Sequence, residues 1–116
     1  MGRISRIGVT ALMAATLVGA PAAAHATANH TDAAVKVRIV NFAFKPANLT
    51  ISAGMRVKWI NKTTTTTHTS TSDTGVWDSG NIPPGGKFAK TFKRVGTFDY
   101  HCSIHPFMTG SIKVTP

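Results

Sequence analysis

From residue 35 onward, apolar and polar residues alternate with a period of two over much of the chain. Val35, Val37 and Ile39 are separated by Lys36 and Arg38, the pattern of a strand with one buried face. Phe42 to Pro46 breaks that register. Leu49 and Ile51 share one face of a second strand ending at Ala53-Gly54, and Val57 and Trp59 open a third. Asn61 to Ser72 is polar and contains an unbroken Thr63 to Thr67 tract, read as a flexible polar loop with no chemistry assigned to its hydroxyls. Val76-Trp77 and Ile82 sit among turn residues, and Pro83-Pro84-Gly85-Gly86 marks a loop. Lys87 to Lys93 resumes as a strand carrying Phe88 and Phe92. Strict alternation would place Lys90 on the same face, so a bulge or an exposed edge is expected there. After Gly96, Phe98, Tyr100 and Cys102 point one way along a strand, and Ser111 to Thr115 forms the last. No stretch of this region holds helical periodicity for ten residues. Short strands joined by Gly/Pro turns predict an all-β fold, a β-sandwich.

The N-terminal segment follows another rule. Arg3 and Arg6 precede an apolar run from Ile7 to Val18 and a small, Ala-rich stretch from Gly19 to Ala28, the three-part layout of a secretory signal peptide. The run is too short to cross a bilayer as a helix and no second one follows, so no transmembrane segment is expected in the mature chain. Cleavage after Ala24, Ala26 or Ala28 satisfies the small-x-small rule, and Ala26 is favoured. The expected organisation is a signal peptide at 1–26, a polar leader at 27–34 and one domain at 35–116, in a periplasmic or secreted protein. Cutting after Thr27 would instead leave Ala28-Asn29-His30, an amino-terminal chelating tripeptide and a candidate accessory copper site at His30.

Export sharpens the meaning of the cysteine content. Small exported domains usually rely on disulfides, but this chain has one cysteine among 116 residues. Cys102 is therefore expected to be reactive or metal-bound. It opens the run Cys102-Ser103-Ile104-His105-Pro106-Phe107-Met108, in which a thiolate, an imidazole and a thioether fall within seven residues, between a strand and Gly110. Two imidazoles, a thiolate and an axial thioether form the type 1 copper donor set. Structural zinc sites use paired Cys or His without Met. The second imidazole must come from elsewhere. His101 points to the opposite face of its strand from Cys102, and His30 lies in the leader. His68, at the exit of the Trp59 strand, is the candidate. The predicted metal ligands are His68, Cys102, His105 and Met108, around one copper ion.

The chain resembles the cupredoxins, among them the small bacterial amicyanin-, pseudoazurin- and plastocyanin-like copper proteins. The likeness runs from about Val35 to Val114. It rests on Val57-Lys58-Trp59-Ile60-Asn61, His68-Thr69, Asp78-Ser79-Gly80, Pro84-Gly85, Gly96 to Cys102, and the Cys-x-x-His-Pro-Phe-Met loop. The resemblance implies a Greek-key, cupredoxin-like sandwich and maps the family's first His ligand onto His68, and its Cys, second His and Met onto Cys102, His105 and Met108. It also implies that Thr69 steadies the Cys sulfur and that an apolar patch at Pro106 and Phe107 forms the electron port. The chain departs from the family between Trp59 and His68, where Lys62 and five threonines make the segment about one residue longer. Phe42, Phe44, Trp59, Phe88, Phe92 and Phe98 are expected in the core, while Trp77 suits either core or rim.

The predicted function is single-electron transport between redox partners, not enzymatic turnover, since a copper enzyme needs further centres that this chain lacks. The alternative is a periplasmic copper carrier or buffer on the same scaffold. Loss of Arg3 and Arg6 takes the formal charge from +9 to +7. That charge is spread without a Lys/Arg run, which argues against nucleic-acid binding and for redox partners with acidic docking surfaces or anionic envelope surfaces. A monomer is expected.

Overall fold

The computed structural model describes residues 33–116. The expected signal peptide at 1–26, most of the leader, and His30 lie outside the described residues. Eight strands follow in order: β1 (Ala34–Val40), β2 (Ala43–Lys45), β3 (Asn48–Ser52), β4 (Met55–Asn61), β5 (Thr71–Ser72), β6 (Lys87–Phe92), β7 (Gly96–His101) and β8 (Thr109–Thr115). They form two four-stranded sheets, β2-β1-β4-β6 and β3-β8-β7-β5, each mixing parallel and antiparallel pairs. The described residues contain no helix, and the fold is the expected Greek-key β-sandwich.

The alternation read from the sequence sets which side chains lie between the sheets. Val37 and Ile39 of β1, Val57 and Trp59 of β4, Tyr100 of β7, and Ile112 and Val114 of β8 are buried against one another. Trp59 is the hub. Its ring lies 5.5 Å from Tyr100, 5.7 Å from Phe88 and 5.9 Å from Trp77, centroid to centroid. Each large buried side chain contributes about 1.5–3 kcal/mol through removal from water, so this layer supplies the rigidity on which a site at the sandwich end can rest. Trp77 belongs to the core.

Three details bear on the sequence reading. β6 pairs with β4 in unbroken register from Met55↔Phe92 to Ile60↔Lys87, so of the bulge or exposed edge expected at Lys90 it is the exposed edge that forms. The strand lies at the sheet edge, which lets Lys90 face inward while its ammonium reaches the rim and sits 5.3 Å from the centre of the Phe92 ring. Second, Phe42 is not a core residue but is 47% exposed. Asn41 and Phe42 both have positive φ, 43° and 56°, in the two-residue turn joining β1 to β2. Such a turn matches the twist of a hairpin, and it swings the Phe42 ring out of the core. Third, the polar stretch divides: Thr64 and Thr65 of the threonine tract are exposed, while His68, Thr69, Ser70 and Ser72 beyond it are buried.

Candidate metal centre

Cys102 stands where β7 leaves its sheet, on the inward side shared with Tyr100, and is fully buried. The chain then turns through 103–108 and returns as β8. This loop is closed by two backbone bonds, Cys102 N–H to Met108 O (3.0 Å) and Met108 N–H to His105 O (2.9 Å). Gly110 sits opposite Tyr100 in the β7–β8 ladder, and a Cβ there would overlap the Tyr100 ring. A glycine is thus required for β8 to start close enough to tie the loop down.

His68 arrives from the other direction, held by its backbone and by Asn61. Its N–H and C=O pair with Ile82 at 3.2 and 2.7 Å. The buried Asn61 carboxamide donates to Thr66 O (2.8 Å) and Ile82 O (2.9 Å), and its oxygen accepts from Thr63 N–H (3.0 Å). The Thr63 hydroxyl lies 2.6 Å from that oxygen and 2.8 Å from Thr66 O. The threonine tract is therefore strapped to the end of β4, and the strap delivers His68 to the site. Asn61 follows Val57 and Trp59 on the inward face of its strand. A polar residue at a core position must find partners, and that was the signal in the sequence.

The two arms meet at the Cys102 sulfur. Sγ lies 3.7 Å from His68 Nδ1 and 3.7 Å from His105 Nδ1, and all three ligand atoms fall within 4.8 Å of one another. Among the described residues, this is the one such convergence of His, Cys, Asp and Glu side chains. With metal–sulfur and metal–nitrogen lengths of about 2.3 and 2.0 Å, a trigonal ion would hold S and N about 3.7 Å apart, so the donors fit one ion. Met108, also brought to this end of the core, is buried, and His105 is half-buried. Burial first, and then the neighbouring imidazole of His105, lower the pKa of His68 and favour its neutral, ligating form.

Thr69 joins the arms behind the sulfur. Its N–H points at Sγ (3.3 Å), and its hydroxyl oxygen accepts from Ser103 N–H (2.7 Å) and contacts the hydroxyls of Ser103 (3.1 Å) and Thr71 (2.9 Å). His101 faces away from the cluster and pairs with Asp73. Around the outer edge, Phe42 packs edge-on to His68 and His105 with centroids 5.6 and 5.0 Å away, and Phe107, 70% exposed, extends the rim. Sequence reasoning missed Phe42 and Ser103. Asn41, a residue tolerant of positive φ, was the available hint of the turn that places Phe42.

A soft thiolate and thioether with two imidazoles, at the end of a Greek-key sandwich, define a type 1 copper centre. The model of the cupredoxin-like domain matches residues 8–114, and the chain belongs to that family. It is 33% identical over 94 residues to the amicyanin of Paracoccus denitrificans, spanning 77% of this chain and 71% of that protein. The solved structure of a mutant amicyanin in its Cu(I) form is also similar (TM-score 0.67, 30% identity, covering 75% of this chain and 87% of that one). A copper-containing nitrite reductase from Thermus scotoductus shares the fold (TM-score 0.69, 26% identity), covering 72% of this chain but 23% of the enzyme. The fold thus occurs in electron carriers and within larger enzymes.

Proposed function

We propose that this protein is an exported electron carrier in which His68, Cys102, His105 and Met108 hold one copper ion. The observation that carries the reading is the placing of one cysteine sulfur 3.7 Å from two imidazole nitrogens, inside a rigid sandwich and under an exposed aromatic rim. Copper bound there supplies a one-electron couple. The protein's own groups do the remainder. Cys102 would offer its thiolate, His68 and His105 their Nδ1 atoms, and Met108 its thioether. The Thr69 N–H stabilises charge on the sulfur, and Asn61 and Thr69 hold both arms in one arrangement, so little structure must rearrange when charge changes.

Carrier function, as opposed to copper delivery, is favoured by burial: three of the four donors are at most 2% exposed, which obstructs transfer of the ion to another protein. Electrons are expected to pass at His105, whose surroundings (Phe42, Ile104 and Phe107) are 45–70% exposed and can dock a partner without opening the site. We place the protein outside the cytoplasm as a monomer, cleaved after residue 26, with its domain at 35–116 and with acidic redox partners. Titration of the apoprotein with Cu(II) tests the reading. One equivalent should give an intense visible thiolate-to-copper band and a narrow-hyperfine EPR signal. Cys102→Ser should stay folded and colourless, and a blue Cys102→Ser protein would refute the assignment.

A further inference from the structure

We propose that the outer face of the β2-β1-β4-β6 sheet is a docking surface for an anionic lipid bilayer, separate from the metal end. Strand alternation turns six cations onto this face: Lys36 and Arg38 from β1, Lys45 from β2, Arg56 and Lys58 from β4, and Lys87 from β6. Their neighbours Val37, Ile39, Phe44, Val57 and Trp59 point into the core. The register sets like charges side by side, Lys36 opposite Lys58 and Arg38 opposite Lys45. Like charges directly opposed across a sheet repel. No carboxylate of the described residues lies on this face to relieve them. Asp73 and Asp78 follow β5, Asp99 lies in β7, and the one ion pair among the described residues is His101–Asp73. The outward positions of the second sheet include Thr50, Thr97, Asp99 and Lys113, a nearly neutral set. The charge is thus concentrated on one side of the molecule.

The shape of the charged surface identifies the partner. Strands stand about 4.8 Å apart and alternate residues about 7 Å apart, so the cations form a shallow lattice without a cleft. Protein docking sites carry an apolar or aromatic centre inside a polar rim; here the aromatic rim is at the metal end, and the sheet face sets its six cations among Ala34, Val40, Ala43, Ile60, Ala89 and Thr91, with no aromatic side chain. Flexible lysines and arginines without a fixed bonding geometry suit a planar, diffuse negative field, which anionic headgroups present. Each such residue near the surface strengthens binding about fivefold. β1 and β4 run along this face and finish beside Phe42 and His68, so a protein lying on the bilayer would keep the metal end at its side, open to a partner.

The test uses the copper-loaded protein as exported by a bacterial host, with its N-terminus read by intact mass, and vesicles of phosphatidylcholine with or without phosphatidylglycerol. Sedimentation should occur only with the anionic vesicles and should fade as salt rises. Lys58→Gln should weaken it roughly fivefold, whereas Lys113→Gln, which removes the same charge from the outer face of the other sheet, should weaken it far less. Equal losses in the two variants, binding to neutral vesicles, or retention by an acidic protein or DNA without vesicle binding would each overturn the proposal. Blue colour in bound and free fractions reports on the copper assignment separately.

Discussion

Phe42 is a bulky residue in a left-handed backbone region that costs a non-glycine residue about 1–2 kcal/mol. What it gains is position, with its ring edge-on to both imidazoles of the site. Phe42→Gly should therefore leave stability within about 1 kcal/mol of the parent, because strain relief offsets lost contact. The same change should open the site, and removal of Cu(I) by a soluble chelator should become faster. Stopped-flow chelation beside denaturant melts would separate the two effects. Tyr100 makes the opposite case. Its hydroxyl is buried beside the Trp59 indole N–H, and neither group has a hydrogen-bond partner elsewhere in the fold. Burial pushes the phenol up to about 12 from its ordinary 10. With the folded value raised, the neutral phenol's contribution is whole below pH 10 and is lost as pH rises toward 12, roughly 2–3 kcal/mol in all. Tyr100→Phe should match or exceed the parent in stability at pH 7 and should lose this alkaline slope, as followed by denaturant midpoints between pH 8 and 12.

At the level of elements, His68 comes from a segment that crosses between the sheets, and Asn61 bonds it to the segment that crosses back. Removing its carboxamide leaves Thr63 N–H without its partner and takes one of two donors from Thr66 O and from Ile82 O, at about 1–3 kcal/mol for a buried group left unsatisfied. Asn61→Ala should cost about 3 kcal/mol and broaden the copper EPR lines, since His68 would no longer have one position. Calorimetry with EPR on the same preparation would check both. The strands on either side were readable in the sequence because Val37/Ile39, Val57/Trp59 and Tyr100/Cys102 obey a period of two that a half-buried sheet imposes. The Cys102 to Met108 loop was readable because its ligands are local. The burial of His68, Thr69, Ser70 and Ser72 was not. It comes with long-range polar bonds, Asn61 to Ile82, Thr69 to Ser103, and Ser70 to the Trp77 indole, to which hydropathy is blind. Phe42 eluded the reading for a different reason: a change of backbone sign at residues 41 and 42 reverses the face to which an aromatic belongs.

On the scale of the whole molecule, charge and apolar contact are arranged to act at different distances. The formal charge, +7 for the chain without the proposed signal peptide at 1–26, acts through the solvent, over a Debye length that falls from about 30 Å at 0.01 M salt to about 8 Å at 0.15 M. The rim of Phe42, Ile104 and Phe107 acts only on contact. Electron exchange with an acidic partner should therefore slow as salt rises, because screening lowers the encounter rate. Self-exchange between two copies, both positive, should accelerate over the same range. Phe107→Asp adds a hydrated charge to the contact without touching a ligand atom, so colour and potential should hardly change. Its partner exchange should fall at least tenfold, and the deficit should persist at high salt, where steering has gone and only the contact remains. Stopped-flow kinetics across ionic strength, with self-exchange from NMR line widths, would test all three trends on one sample. A deficit that vanished at high salt would mean that the added charge, not the lost aromatic surface, had caused it. Copper passing to an apo acceptor faster than electrons pass would identify a metal carrier instead.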